Sequence, residues 1–247
     1  MCTPRVAYSG VVSAGGAEEA TKVCAQMRKL GVSRAKVKVG GTLEEDLAVL
    51  TAVRETLGEP AGLRVDANGA WDAQTALARV RAFEPFRLQG LEQPCAADDI
   101  EGLAWLCERS SVPVIADESL VSLKDAERLI RSRACHVFNV RISKCGGLLQ
   151  SGRIRDMGSQ AGIDTMLGAH VGETAILAAA GRQFAARTAG LRFAEGSYGR
   201  LLLKADVSAA MDLEPGGFGP AIVGDGLGLD VDLERIAPFV VAGRLLT

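Results

Sequence analysis

The chain has 247 residues, 48% hydrophobic and 23% charged, with a formal net charge of −2. That length suits one large domain with a substantial core. The near-neutral balance argues against a nucleic-acid-binding face, and no apolar run approaches the roughly 18 residues of a membrane span.

Strand-like apolar runs alternate with amphipathic runs throughout, the pattern of βα units around a parallel sheet. Residues 6–9 read as the first strand and 18–30 as a helix closed by Gly31. Residues 35–39 are the second strand. Leu43, Leu47, Leu50, Val53 and Leu57 then fall on one helical face, ended by Gly58. Residues 63–65 form the third strand, and Asp72 reads as the N-cap of the helix carrying Leu77, Val80 and Phe83. The fourth strand spans 88–91, and Asp98 and Asp99 open a helix with Ile100, Leu103 and Leu106. The fifth strand is 112–116, and Ser122 with Asp125 resembles a capping box for a helix through Arg131. Residues 137–140, 163–167 and 191–194 complete the strands, with helices over 147–162 and 174–187. From residue 201 onward, Pro215-Gly216-Gly217-Phe218-Gly219-Pro220 and Gly224-Asp225-Gly226-Leu227-Gly228 read as turns. The expectation is one α/β domain, a barrel over 1–200 with an irregular tail over 201–247 that packs on it. Residues 1–5 carry no apolar signal-like segment. The six cysteines include no CxxC pair, which predicts reduced thiols in a cytoplasmic protein and no structural zinc.

Five ionisable residues end successive apolar runs: Lys38, Asp66, Glu92, Asp117 and Lys144. Their spacing of about 25 to 28 residues matches one strand, one helix and two loops of a (β/α) barrel, in which strand ends face a shared mouth. Three facing carboxylates repel, and a divalent cation with oxygen preference, such as Mg²⁺, removes that cost. Lys36 and Lys38 alternate on one strand and so share a face toward the barrel interior or mouth. An ammonium beside a second cation and partly out of water gives up its proton more readily, as a general base must. Two lysines flanking a metal point to proton transfer at a carbon acid. The glycines of Ser143-Lys144-Cys145-Gly146-Gly147 permit close backbone approach and an anion-accepting helix start. His170 and Glu173 follow the seventh strand and are placed to line the mouth, though a lone histidine there is more often structural. Trp71, Trp105 and Phe138 read as packing residues.

The set Lys36-Val37-Lys38, Asp66-Ala67-Asn68, Glu92-Gln93-Pro94, Ala116-Asp117-Glu118-Ser119 and Ser143-Lys144-Cys145-Gly146-Gly147 resembles the enolase superfamily, in its muconate-lactonizing-enzyme subgroup. That subgroup includes muconate cycloisomerases, o-succinylbenzoate synthases, dipeptide epimerases and N-acylamino acid racemases. The resemblance runs over residues 5–235 and implies a (β/α)7β TIM-like barrel. It implies Mg²⁺, with Mn²⁺ as the alternative, on Asp66, Glu92 and Asp117. Lys38 would abstract the proton α to a substrate carboxylate, and Lys144 would act from the opposite face as acid, second base or charge stabiliser. The metal would hold the enediolate. Lys36, Asn68 and Glu195 are the expected substrate-binding residues. The reaction class stays open among cycloisomerase, dehydrating synthase and racemase or epimerase.

Two departures from the family pattern bear on function. Members carry an N-terminal capping domain that closes over the site, whereas this chain is expected to start at the first barrel strand, with that domain absent. The alternative reading is therefore a cap-less or split barrel that binds metal but is inactive, or active only with a capping partner; the expected partners are a capping domain in trans or a homo-oligomer. Dipeptide epimerases carry Asp-x-Asp at the eighth strand, where this chain reads Ala194-Glu195-Gly196-Ser197. That disfavours dipeptides within the expected class of small carboxylate substrates.

Overall fold

The computed structural model describes residues 5–13, 15–208 and 212–240; Cys2 and the end of the tail lie outside the described residues. In chain order the elements are β1 (Arg5–Ala7), β2 (Gly10–Val12), α1 (Gly16–Lys29), β3 (Arg34–Lys38), α2 (Leu43–Leu57), β4 (Gly62–Asp66), α3 (Ala73–Ala82) and β5 (Leu91–Glu92). Then follow α4 (Ile100–Cys107), β6 (Val114–Ala116), α5 (Leu123–Arg131), β7 (Val137–Val140), α6 (Gly147–Gln160), β8 (Asp164–Leu167), α7 (Ala175–Ala186) and β9 (Phe193–Ala194). The tail adds α8 (Gly199–Leu202), β10 (Phe218–Pro220) and α9 (Leu233–Ile236).

Strands β2 to β9 form one parallel sheet in sequence order. The Ser9 amide donates to the Ala194 carbonyl at 2.9 Å and so links the two edges. Seven helices alternate with these eight strands, so the sheet is the curled (β/α)7β barrel that the sequence predicts.

The helix starts follow local chemistry. Thr42 with Glu45 and Ser122 with Asp125 close full capping boxes, and Asp72 and Asp99 accept from Thr75 N and Gly102 N. Each such cap contributes about 1 kcal/mol. Alternation along the strands sorts the side chains into two cores. The larger lies between strands and helices, with Leu50, Val65, Leu103 and Leu129 fully buried. The smaller, Ile115, Val137 and Met166 with Phe193, has the parity of Asp117, Asn139, Gly168 and Glu195 and fills the barrel lumen.

The first strand differs from the sequence reading. The first barrel strand is β2, not residues 6–9; β1 instead pairs antiparallel with β10, Val6 opposite Gly219. Part of the glycine-rich tail expected to be turns is therefore a strand. Gly216 N donates to Leu30 O at 2.8 Å, which places this ribbon at the N-terminal end of the barrel, away from the mouth. Asp206 accepts from Ala175 N and caps α7 from the tail. Among the described residues no helix is long and apolar enough to cross a membrane.

Candidate active site

Each of the five spaced ionisable residues ends or follows a barrel strand. Lys38 closes β3, Asp66 closes β4 and Glu92 closes β5, while Asp117 follows β6 and Lys144 follows β7 by four residues. The ladders put Lys38 opposite Asp66 and Asp66 opposite Glu92. Asp66, Glu92 and Asp117 are fully buried. Strands β3 and β7 are four apart in a ring of eight, so Lys38 and Lys144 face each other across the mouth.

The carboxylates are brought together with cations between them. Lys38 Nζ donates to Asp66 Oδ2 and to Asn68 Oδ1, both at 2.6 Å. Lys144 Nζ donates to Asp117 Oδ1 at 2.6 Å and to the Asp117 carbonyl at 2.5 Å. The Arg141 guanidinium pairs with Asp117 Oδ2 and lies 4.0 Å from Glu92 Oε1. Among the described residues no trio of acidic, imidazole or thiol side chains is already gathered as a cation cage. The mutual repulsion expected from sequence is thus quenched by lysine and arginine.

Lys36 and Glu195, two of the expected substrate-binding residues, lie buried against each other. Lys36 Nζ reaches Glu195 Oε2 at 2.7 Å, Glu92 Oε1 at 3.0 Å and Asp66 Oδ2 at 3.2 Å. Burial works against that ammonium, yet the charges of Glu195, Glu92 and Asp66 prevail and hold its pKa above the ordinary lysine value. Glu195 Oε1 accepts from Arg64 Nη2 at 2.6 Å. Burial, reinforced by the Glu195 charge, pushes the Glu92 carboxyl up. Burial also lowers Lys144 to about 8, within reach of the proton transfers a lysine base performs.

The rim is more open. Exposed Asn68 has φ 46° and donates from Nδ2 to Glu118 Oε1 at 2.8 Å. Gln93, φ 36°, accepts from Asp117 N at 2.9 Å and Ser119 N at 3.1 Å and so fixes the loop that carries Asp117. Gly146, φ 79°, is the N-cap of α6 without a side-chain cap, as the glycine pair predicted. His170 is exposed, and its amide donates to Glu173 Oε1 at 2.8 Å. Trp71 packs 6.3 Å from Phe83, and Phe138 is fully buried, both as packing residues.

Arg64, Asn139 and Arg141 are site residues that the sequence reading passed over. Each lies two residues from an inward position, so period-two alternation is the signal that would have found them. Asn139 Nδ2 donates to Glu92 Oε1 at 2.9 Å. Gly168, directly after β8, leaves room for it: a Cβ there would overlap Asn139 Oδ1 and come within 2.9 Å of Arg141 Cγ. Gly168→Ala is therefore expected to displace Asn139 and cost about 1–3 kcal/mol in urea unfolding. Gly152→Ala in the interior of α6, whose nearest neighbour is Arg155 Nη2 at 4.0 Å, serves as the control and is expected to stabilise by about 0.5–1 kcal/mol.

A metal fits this donor set. Glu92 Oε2 is buried without a hydrogen-bond partner among the described residues. The three carboxylates come from successive strands, and hard oxygen donors suit Mg²⁺.

A family model described as "Enolase C-terminal domain-like" matches residues 18–236. The o-succinylbenzoate synthase of Thermobifida fusca is 36% identical over 205 residues, 82% of this chain and 62% of that protein. The hydrophobic dipeptide epimerase of Enterococcus faecalis is 35% identical over 148 residues, 60% of this chain and 42% of that one. The chain spans about half the length of the curated relatives it matches. The crystal structure of N-succinyl Arg/Lys racemase from Bacillus cereus superposes with a TM-score of 0.91 at 26% identity, over 97% of this chain and 64% of that one. The Enterococcus faecalis dipeptide epimerase, solved with Mg and the dipeptide L-Leu-L-Tyr, superposes at 0.86 and 28% identity over 92% of this chain and 64% of that one. The family match covers most of the residues that build the barrel and its rim, and the chain belongs to the enolase C-terminal domain-like family, with relatives among the muconate cycloisomerases, o-succinylbenzoate synthases and epimerases.

Proposed function

We propose that this barrel catalyses metal-assisted removal of the proton α to a carboxylate on a small substrate. The observation that carries the reading is two lysines facing each other across three buried strand-end carboxylates. Asp66, Glu92 and Asp117 would hold Mg²⁺ or Mn²⁺. Bound there, the metal supplies positive charge to the substrate carboxylate as negative charge develops on it. Lys38 takes the α-proton from one face, oriented by Asn68 through its 2.6 Å hydrogen bond. Lys144 returns a proton or stabilises charge from the other face. Asn139 and Gln93 hold Glu92 and the Asp117 loop in place. Glu195 is committed to Lys36 and Arg64, which leaves it unsuited to hold a dipeptide amine. N-acylamino acids and unsaturated dicarboxylates are therefore the favoured substrates.

A specific observation favours action under a cap. Val121, Leu149, Val171 and Leu201 are exposed on segments that follow β6, β7, β8 and β9, all at the mouth end. Exposed apolar side chains at one end of the barrel suit an interface, which a capping domain or a second copy of the chain would fill.

The test is incubation in D₂O with Mg²⁺ of N-succinylamino acids, dipeptides and muconate-type dicarboxylates, with mass spectrometry of the recovered acids and of any lactone formed. The expected result is deuterium at the α-carbon of a recovered N-acylamino acid, or at the saturated α-carbon of the lactone made from the dicarboxylate, lost with EDTA. No incorporation into any of these acids or into a lactone, with a capping domain supplied in trans, would sink the proposal.

A further inference from the structure

The Lys36 ammonium has three protons and three carboxylate partners on three different strand ends. Its shortest bond, 2.7 Å, goes to Glu195. The other two, at 3.0 and 3.2 Å, go to Glu92 and Asp66. Glu195 is itself fixed from behind. Its second oxygen takes Arg64 Nη2 at 2.6 Å, Arg64 Nη1 donates to Ser9 Oγ at 3.1 Å, and the guanidinium lies 4.3 Å over the Phe193 ring. Lys36, Arg64 and Glu195 are all at least nine-tenths buried. A buried, fixed carboxylate just past the end of β9 therefore holds Lys36 at its shortest contact, beside the two candidate metal carboxylates.

This arrangement matters for any cation on the rim. Lys36 is paired with Asp66 and Glu92, so its ammonium would repel, at short range, a cation held on those carboxylates. Glu195 works against that repulsion, since it offsets the Lys36 charge and takes the shortest of the three contacts.

We infer that Glu195 is a positioning residue for the divalent cation site, acting through Lys36 and anchored by Arg64, and not a substrate contact. The inference rests on the metal reading of Asp66, Glu92 and Asp117. Glu195→Gln keeps the shape and removes the charge, which leaves Lys36 balanced only by the two carboxylates the metal needs. Loss of such an outer partner typically weakens metal affinity about 10- to 100-fold.

The test is calorimetric titration of the whole chain with MgCl₂, with electron paramagnetic resonance of free Mn²⁺ as a second readout. Four proteins are compared: wild type, Glu195→Gln, Lys36→Met and the double variant. The expected results are at least tenfold weaker binding by Glu195→Gln, binding by Lys36→Met at least as tight as wild type, and recovery in the double variant. That recovery separates positioning from a purely structural role, because a packing defect at Glu195 is not repaired by removing a second buried side chain. Should Glu195→Gln fail to fold, Lys36→Met decides alone, and weaker binding by it overturns the inference. Equal affinity of wild type and Glu195→Gln also overturns it while leaving the metal reading intact. A wild type that binds neither ion, with Asp66→Asn indistinguishable from it, defeats the metal reading and this inference with it.

Discussion

Lys38→Ala is expected to reduce α-proton exchange by about 10²- to 10⁴-fold, the usual contribution of a positioned acid or base. The expectation comes from where the fold places the lysine. It ends β3, is partly exposed at the mouth, and is held by Asp66 and Asn68 at 2.6 Å each. Lys144 sits across the ring beyond β7, held by Asp117. A substrate on the barrel axis therefore presents one face of its α-carbon to each lysine. In a racemase, Lys38→Ala stops deuterium exchange of one enantiomer and Lys144→Ala that of the other. In a cycloisomerase or dehydrating synthase, Lys144→Ala slows the reaction without abolishing exchange at Lys38. The measurement is the time course of deuterium incorporation for each variant, with a capping domain added in trans. Undiminished exchange with both lysines replaced would remove them from the mechanism.

Mg²⁺ is expected to raise the melting temperature by about 5–10 °C at a hundredfold excess over its dissociation constant. Binding to the native state alone contributes about 2.7 kcal/mol there, and each kcal/mol moves a chain of this size by about 2–4 °C. Asp66→Asn, Glu92→Gln and Asp117→Asn together should abolish the response. The metal-free triple variant should also melt below the metal-free wild type. Repulsion among three bare carboxylates would predict the reverse, but Lys36, Lys144 and Arg141 already lie on these groups. Removing the acids strands buried cations without counter-charge, which is strongly destabilising. Differential scanning calorimetry with MgCl₂ and with EDTA checks both statements. An identical Mg²⁺ response in wild type and triple variant would rule out the metal assignment.

Much of this was written in the linear sequence. The barrel follows from the alternation of short apolar runs with amphipathic ones, because a buried parallel strand and a helix carry different periods. Asp66, Glu92, Asp117 and the two lysines were legible because one βα unit has a nearly constant length, so a residue ending each strand recurs at that interval. Caps such as Thr42, Asp72 and Ser122 were equally local. What only the tertiary structure decided depends on contacts between distant residues. Val6 and Gly219 pair across the barrel floor, and nothing in a three-residue run distinguishes an antiparallel ribbon strand from a barrel strand. Glu195 meets Arg64 across 131 positions, so its burial in an ion-pair network has no local signature. The cations between the carboxylates have the same origin, since Lys36 and Arg141 meet acids at the ends of neighbouring strands that lie a whole βα unit away in sequence.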